Sequence, residues 1–433
     1  MRKMSLKVVV VFIVSSAVSQ LMAMGMEFAI ESDHTNLIYS TSEEAAFTVT
    51  VKRDGTLLRS EAIDVQLDNF GTNVLLRKRI DLSRGNPFTV KGRLSEPGFM
   101  RLTLKAGDGS AKIWGVGIDP EKIEKGSPSP DDFDAFWSAA RAKLAKDVPL
   151  DAKMTKVPER CTADFDFFRI SFATFGRRVY GYMSVPTDKS KAPYPVEFKV
   201  SAAGFGDHTN DMRGDKNVIC VMFTVHPWAP HWDWLELGLK TAYKYMEEAC
   251  ERKYGCKGYC TAGLSESRER YFYYPVILGI DRAVDWVAAR PDVDLQRFWY
   301  QGTSQGGGFG FYLTGLNHTF TRAALFVPAI TDTMGYLKGR QSGWPRPVEN
   351  HPKDVRSVVE RNVPYFDCAN FASRIACPVR VVVGFADMTC APCAVYAAYN
   401  EVKVKDKGIV HGFGMGHGCF RKFYEELGRW LRK

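Results

Sequence analysis

Between residues 27 and 119, apolar and polar side chains alternate in short runs broken by turn residues. Ala46-Phe47-Thr48-Val49-Thr50-Val51-Lys52 alternates with period two and ends at Arg53-Asp54-Gly55, a turn signal. Ile63-Asp64-Val65-Gln66-Leu67 and Met100-Arg101-Leu102-Thr103-Leu104-Lys105 repeat the pattern. No helical period competes with it. Residues 24–125 therefore read as a small antiparallel β-sandwich of immunoglobulin-like size. Ser127-Pro128-Ser129-Pro130 follows and reads as a linker at residues 126–130.

The pattern changes directly afterwards. Asp131-Asp132-Phe133-Asp134 opens a helix, with acidic residues in the first turn where the helix dipole favours them. Strands are predicted at 178–186 and 195–202, helices at 237–254 and 274–289, and a buried strand at 297–301. Further apolar runs lie at 323–327 and 379–383, and a closing helix at 420–431. Such alternation of β and α predicts a mostly parallel, doubly wound sheet over residues 131–433.

The first apolar run belongs to neither pattern. Residues 8–18 follow Arg2, Lys3 and Lys7 and lead into small residues, the layout of a secretory leader. The run is too short to span a bilayer. Ala17 and Ser19 suit the −3 and −1 positions of a cut before Gln20; a cut after Ala23 is the alternative and bounds the leader at residues 1–23. The first cysteine is Cys161, so none lies near the leader to carry a lipid. The expectation is a protein exported to the periplasm or beyond, with no membrane anchor.

Export changes how charge and cysteine are read. The formal charge is +9, but without the three basic residues of the leader the balance is 55 basic against 49 acidic residues. These are scattered rather than gathered on one run, so nucleic-acid binding is not expected. Ten cysteines in an exported chain suggest disulfides or buried thiols. Cys390-x-x-Cys393 could also be a redox dithiol or half of a zinc site, but no second pair has matching spacing.

The sharpest chemical signal is Gly302-Thr303-Ser304-Gln305-Gly306, preceded by the apolar Phe298-Trp299-Tyr300 and followed by more glycine. Gly-x-Ser-x-Gly between a strand and a helix is a nucleophile elbow: the serine sits on a strained turn whose flanking positions have no room for side chains. Its hydroxyl needs a base, and on this fold the partners follow in the order serine, acid, histidine. Only His411 and His417 come late enough, and His417, in the loop Gly414-Met415-Gly416-His417-Gly418, is the better placed. Asp387, after the strand Val379-Arg380-Val381-Val382-Val383, is the leading acid, with Asp332 its competitor. Oxyanion donors would be the Gln305 amide and, in Ser201-Ala202-Ala203-Gly204-Phe205-Gly206, the Phe205 amide. The stretch from His226 to Trp234 could line a sugar-stacking pocket or pack on itself as an aromatic loop. The fold class expected is thus α/β, an α/β-hydrolase fold preceded by a small all-β immunoglobulin-like sandwich.

Several of these stretches resemble the acetyl xylan esterases and cephalosporin C deacetylases of carbohydrate esterase family seven. They are Phe133 to Trp137, Arg270-Tyr271-Phe272-Tyr273 through Asp285, the Gly-x-Ser-Gln-Gly-Gly of Gly302 to Gly307, Asp387 with Ala391-Pro392 and Tyr396-Ala397-Ala398-Tyr399-Asn400, and Gly416-His417. The resemblance covers residues 131–433. It implies a Ser304–His417–Asp387 triad, oxyanion donors at Phe205 and Gln305, no metal or organic cofactor, and an acetylated oligosaccharide as substrate. It also implies a homo-oligomer, although the extra front segment changes the surface available for one. The family's His-Gly-Tyr-Gly-Gly is Ala203-Gly204-Phe205-Gly206-Asp207 here, and its Arg-Gly-Gln-Gly segment is replaced around residues 223–234. Both departures fall near the expected substrate pocket. The expected function is an exported serine esterase that removes acetyl groups from carbohydrate esters. Two rivals are a serine peptidase on the same fold and a carbohydrate-binding protein that no longer turns over. The peptidase reading lacks the large propeller domain such relatives carry.

Overall fold

Period-two alternation in the front segment becomes nine strands: β1 Glu27–Ser32, β2 Ile38–Tyr39, β3 Ala45–Arg53, β4 Thr56–Leu57, β5 Ala62–Asp68, β6 Val74–Asp81, β7 Phe88–Gly92, β8 Gly98–Ala106 and β9 Ala111–Ile118. In β3 the apolar positions Ala45, Phe47, Val49 and Val51 are buried, while the threonines between them are half-exposed. One sheet runs β1-β3-β4 with β7 also on β3, and the other runs β2-β9-β8-β5-β6. All pairings are antiparallel except that of β2 with β9.

The computed structural model describes residues 25–204, 212–226, 244, 247–248, 250–253, 255–256 and 258–433. Phe205, most of the helix expected at 237–254 and all of the aromatic stretch after His226 lie outside those residues. The rest of the chain builds α1 Phe133–Asp147, β10 Lys153–Lys156, β11 Phe165–Thr174, β12 Arg177–Pro186, β13 Tyr194–Val200, β14 Ile219–Thr224, α2 Tyr273–Ala288, β15 Val293–Thr303 and α3 Gln305–Leu316. It continues with β16 Arg322–Phe326, α4 Arg356–Asn362, α5 Cys368–Ala372, β17 Val379–Gly384, α6 Pro392–Glu401, β18 Lys407–Gly412 and α7 Arg421–Leu431. One nine-stranded sheet has the order β10-β11-β12-β14-β13-β15-β16-β17-β18. Pairings from β14 to β18 are parallel, and the β10–β11, β11–β12 and β12–β14 pairings are antiparallel. The sequence pattern did not reveal that antiparallel edge, because β12 is buried along most of its length and reads as an apolar run like the parallel strands beyond it.

Helices cover both faces of this sheet. Ala323, Leu325, Val381 and Val383 face the main core, whereas Ala324, Phe326 and Val382 pack with Phe423, Leu427 and Leu431 of α7. β13 is flanked by β14 on one side and β15 on the other, so the strand order reverses there. A crevice outside the carboxyl ends of the strands opens at such a switch point.

The front sheets share a continuous buried core with the larger sheet. Phe99 of β8 meets Phe385 edge-on at 5.1 Å, and Asn400 of α6 donates to the carbonyls of Pro120 (3.0 Å) and Ile123 (2.9 Å). The Ser-Pro stretch is held too: Gly126 N donates to Asp332 at 2.5 Å, Ser127 Oγ to Asp367, and Asn370 to the Pro128 carbonyl at 2.9 Å. At Gly115 in β9 a Cβ would overlap the Phe385 carbonyl oxygen. Gly115→Ala is therefore expected to destabilise the protein by about 1–3 kcal/mol through overpacking. The loop carrying Asp387 should shift with it, so the melting temperature and kcat should both fall.

All ten cysteines are free thiols, seven of them buried. The structure thus carries none of the expected disulfides. Cys390 faces the Asp387 loop while Cys393 packs against the Gln341 carbonyl, so the tight spacing in sequence does not bring the two into one environment. Burial pushes the Cys393 and Cys260 thiols up to about 12, as for small apolar core residues. Among the described residues no helix is long and apolar enough to cross a membrane.

Candidate active site

β15 ends at Thr303 and α3 begins at Gln305, which leaves Ser304 alone on the turn with φ 55° and ψ −119°. A positive φ is costly for any residue with a Cβ, and it persists here because the surroundings over-determine it. Ser304 N donates to the Phe326 carbonyl at 2.9 Å, and the Ser304 carbonyl accepts from Gly308 N and Ala329 N. A Cβ at Gly302 would overlap the Gly306 carbonyl, and one at Gly306 the Val200 carbonyl. The two glycines of the motif are thus required by backbone-to-backbone approach.

His417 receives this serine. Its Nε2 lies 3.0 Å from Ser304 Oγ, and its Nδ1 lies 2.9 Å from Asp387 Oδ2. Asp387 is fully buried, and its other oxygen accepts from the amides of Thr389 (2.8 Å) and Cys390 (2.9 Å). Those amide bonds fix the carboxylate on the loop after β17, so it can only aim at the imidazole. The histidine loop is tied to the acid loop: Phe385 N donates to the Gly412 carbonyl and Ala386 N to the Met415 carbonyl, each at 3.0 Å.

The competing residues are engaged elsewhere. His411 Nε2 lies 2.7 Å from the Tyr396 hydroxyl, and burial holds this imidazole below the usual histidine range. Asp332 is buried against Arg340 at 3.2 Å and accepts from Gly126 N. Its pKa is raised to about 6 by burial first and by neighbouring Asp367 second.

Gln305 has a second role that sequence reasoning missed. Its buried side chain accepts from Tyr259 OH (2.8 Å) and Tyr273 OH (2.6 Å) and donates to the carbonyls of Ser201 and Ala202, both at 3.2 Å. It thereby ties the elbow to the loop leaving β13, where the second oxyanion donor was expected. His226 reaches the same loop, with Nε2 2.9 Å from the Gly204 carbonyl, and packs edge-on against Tyr259. The backbone N–H of Gln305 opens α3, where first-turn donors have no partner within the helix. Tyr273→Phe removes one of the two hydroxyls on Gln305 and is expected to cost about 1 kcal/mol in denaturant unfolding, with a smaller effect on kcat than changes at Ser304.

Asp387, Cys390 and His417 place possible metal-ligand atoms within 4.8 Å of one another, the one such cluster among the described residues. Asp387 and His417 already hold each other, and burial together with the Asp387 charge pushes the Cys390 thiol well above its ordinary value. A protonated thiol is a poor metal ligand. The set is better suited to passing a proton than to holding a cation.

Comparison with known proteins places the chain in a family. The acetyl xylan esterase (AXE1) family model matches residues 121–433. Acetyl esterase Axe7A of Xylanibacter ruminicola is 28% identical over 409 residues, covering 93% of this chain and 89% of the relative. A match of that length takes in most of the strand-rich front as well. Two solved structures share the fold. The acetyl xylan esterase from Paenibacillus sp. R4 has a TM-score of 0.60 at 22% identity, covering 72% of this chain and 98% of its own. Acetyl xylan esterase 1 from Thermoanaerobacterium sp. JW/SL YS485 has a TM-score of 0.57 at 18% identity, covering 72% and 96%. With an α/β-hydrolase architecture, a mostly parallel sheet and a family match over most of its length, the chain belongs to the acetyl xylan esterase family and is a carboxylic-ester hydrolase.

Proposed function

We propose that the protein is an exported serine esterase that removes acetyl groups from acetylated xylan or related carbohydrate esters. The unbroken line of hydrogen bonds from Asp387 through His417 to Ser304 carries this reading. Ser304 Oγ attacks the ester carbonyl as its proton passes to His417 Nε2, and Asp387 stabilises the imidazolium that forms. The oxyanion is held by the Gln305 amide and by that of Phe205, which lies outside the described residues. The sugar alcohol leaves with the proton from His417. Water then gives its proton to the same nitrogen and attacks the acetyl-enzyme, releasing acetate and restoring Ser304. This chemistry requires no metal or organic cofactor.

We place the leader at residues 1–23, an immunoglobulin-like sandwich at 24–125, a connecting stretch at 126–130 and the catalytic unit at 131–433. The Axe7A name, acetyl esterase, favours acetate as the acyl group. Acetate release from 4-nitrophenyl acetate and from acetylated xylo-oligosaccharides tests the substrate. Release from both supports the reading; hydrolysis of the nitrophenyl ester alone, with every acetylated sugar inert, would remove carbohydrate esters from it.

A further inference from the structure

The outer face of the β6-β5-β8-β9 sheet carries an arrangement that the ester chemistry does not use. Register places Arg79, Asp64 and Lys105 in one cross-strand row, and Arg77, Gln66 and Thr103 in the next. These residues line a groove of about 660 Å³, together with Lys78 and Arg101. That volume lies within the roughly 300–1,000 Å³ of ligand pockets. Met388, the residue after Asp387, is the wall contributed by the catalytic unit. Its sulfur accepts from Arg101 Nη1 at 2.9 Å and its carbonyl from Arg346 at 3.3 Å, so the groove ends against the acid loop of the active site.

The charges on this face do not balance. Arg101 is neutralised by buried Asp68 at 2.8 Å and Arg79 by Asp64 at 3.2 Å. Arg77 is held by an uncharged partner, Gln66 Oε1, at 3.2 and 2.7 Å. Neither Arg77 nor Lys105 has a carboxylate partner among the described residues. A guanidinium fork steadied by an amide is preorganised for a planar carboxylate, and nearby Lys105 adds charge without fixing direction. Among the described residues no aromatic side chain lines the groove. That argues against stacking on a neutral sugar ring and against the base stacking by which single-stranded nucleic acid is held.

We propose that this groove is a subsite for the carboxylate of an acidic sugar, a uronic acid carried on the same acetylated oligosaccharide whose ester Ser304 cleaves. The inference rests on the carbohydrate-esterase reading for its substrate, and the front sheet thereby becomes part of substrate selection. Cations on the front sheet hold the acidic branch while an acetyl group further along the chain reaches the elbow.

The test is equilibrium binding of two deacetylated xylo-oligosaccharides, one glucuronate-substituted and one neutral, to the full chain by calorimetry, which needs no turnover. The acidic sugar is expected to bind about tenfold or more tightly than the neutral one, and Arg77→Gln/Lys105→Gln should abolish that preference. Raising salt should weaken the acidic sugar alone. The charge-keeping variant Arg77→Lys/Lys105→Arg should retain much of the preference, and both variants should hydrolyse 4-nitrophenyl acetate at the wild-type rate, which shows that they fold. Equal binding of the two sugars, or undiminished preference in the glutamine variant, would overturn the subsite. So would a short DNA oligomer that binds as tightly as the acidic sugar, because the groove would then be an unselective anion trough. Retained preference in a protein that releases no acetate would leave the subsite standing and remove the esterase reading instead.

Discussion

Ser304→Ala is expected to lower kcat on acetate esters by on the order of 10⁵-fold or more, the scale seen when a triad nucleophile is removed. The serine's geometry explains why no neighbour should replace it. Ser304 is the residue on the strained turn, and His417 Nε2 addresses its oxygen at 3.0 Å. Cys390, close by, is buried and held as the neutral thiol, a weak nucleophile. Alanine keeps the Cβ and with it the strained φ of the turn, so thermal stability should stay close to that of the wild type. Initial-rate assays beside a melting curve separate loss of chemistry from loss of fold.

Asp387→Asn is expected to cost about 10⁴-fold in kcat with little change in KM. The amide keeps the shape but presents an N–H where the carboxylate accepted from His417 Nδ1. The imidazole must then turn its lone pair towards residue 387, which leaves an N–H rather than a base facing Ser304. An amide also cannot stabilise the imidazolium. Asp332→Asn separates this effect from a general loss of buried charge. Asp332 is equally buried but serves Arg340 and Gly126, so its replacement leaves a buried guanidinium short of its partner. Removing one member of a buried pair costs about 3–5 kcal/mol of stability, and the remaining folded enzyme should keep most of its kcat. Parallel kcat and denaturation measurements on the two variants distinguish the roles.

Much of the active site is legible in the residues alone. Ser304 stands out in sequence because the elbow is a backbone problem, and the glycines that solve it are visible as letters. Strands β13, β15, β16 and β17 likewise show as apolar runs, since a parallel strand buried on both faces has few polar positions; antiparallel β12 is buried along most of its length and reads the same way. Asp387 and Asp332 each follow an apolar strand and look alike in sequence. Only the registered sheet, with β17 beside β18, sets the first against the histidine loop and the second against Arg340.

The parts that escaped notice depend on contacts between distant elements. Tyr259 and Tyr273 act through hydroxyls that converge on Gln305 from outside the elbow, and nothing in their local sequence marks them. Gly115 and Phe99 look like ordinary strand residues until their strands are laid against the loop at Phe385. The Ser-Pro stretch has the composition of a free linker, yet its hydrogen bonds to Asp332, Asp367 and Asn370 hold it against the catalytic core. Cysteine number and spacing point to bridges, yet all ten are free thiols and seven are buried as core residues are.

The central claim is that one serine forms the covalent intermediate. Treating the protein with diethyl 4-nitrophenyl phosphate and mapping the adduct by peptide mass spectrometry tests it most directly. The account predicts one diethylphosphoryl group, on the peptide containing Ser304, accumulating in step with loss of esterase activity and absent from His417→Ala. An enzyme that remained fully active without a label, or that lost activity through a label on another residue, would contradict it.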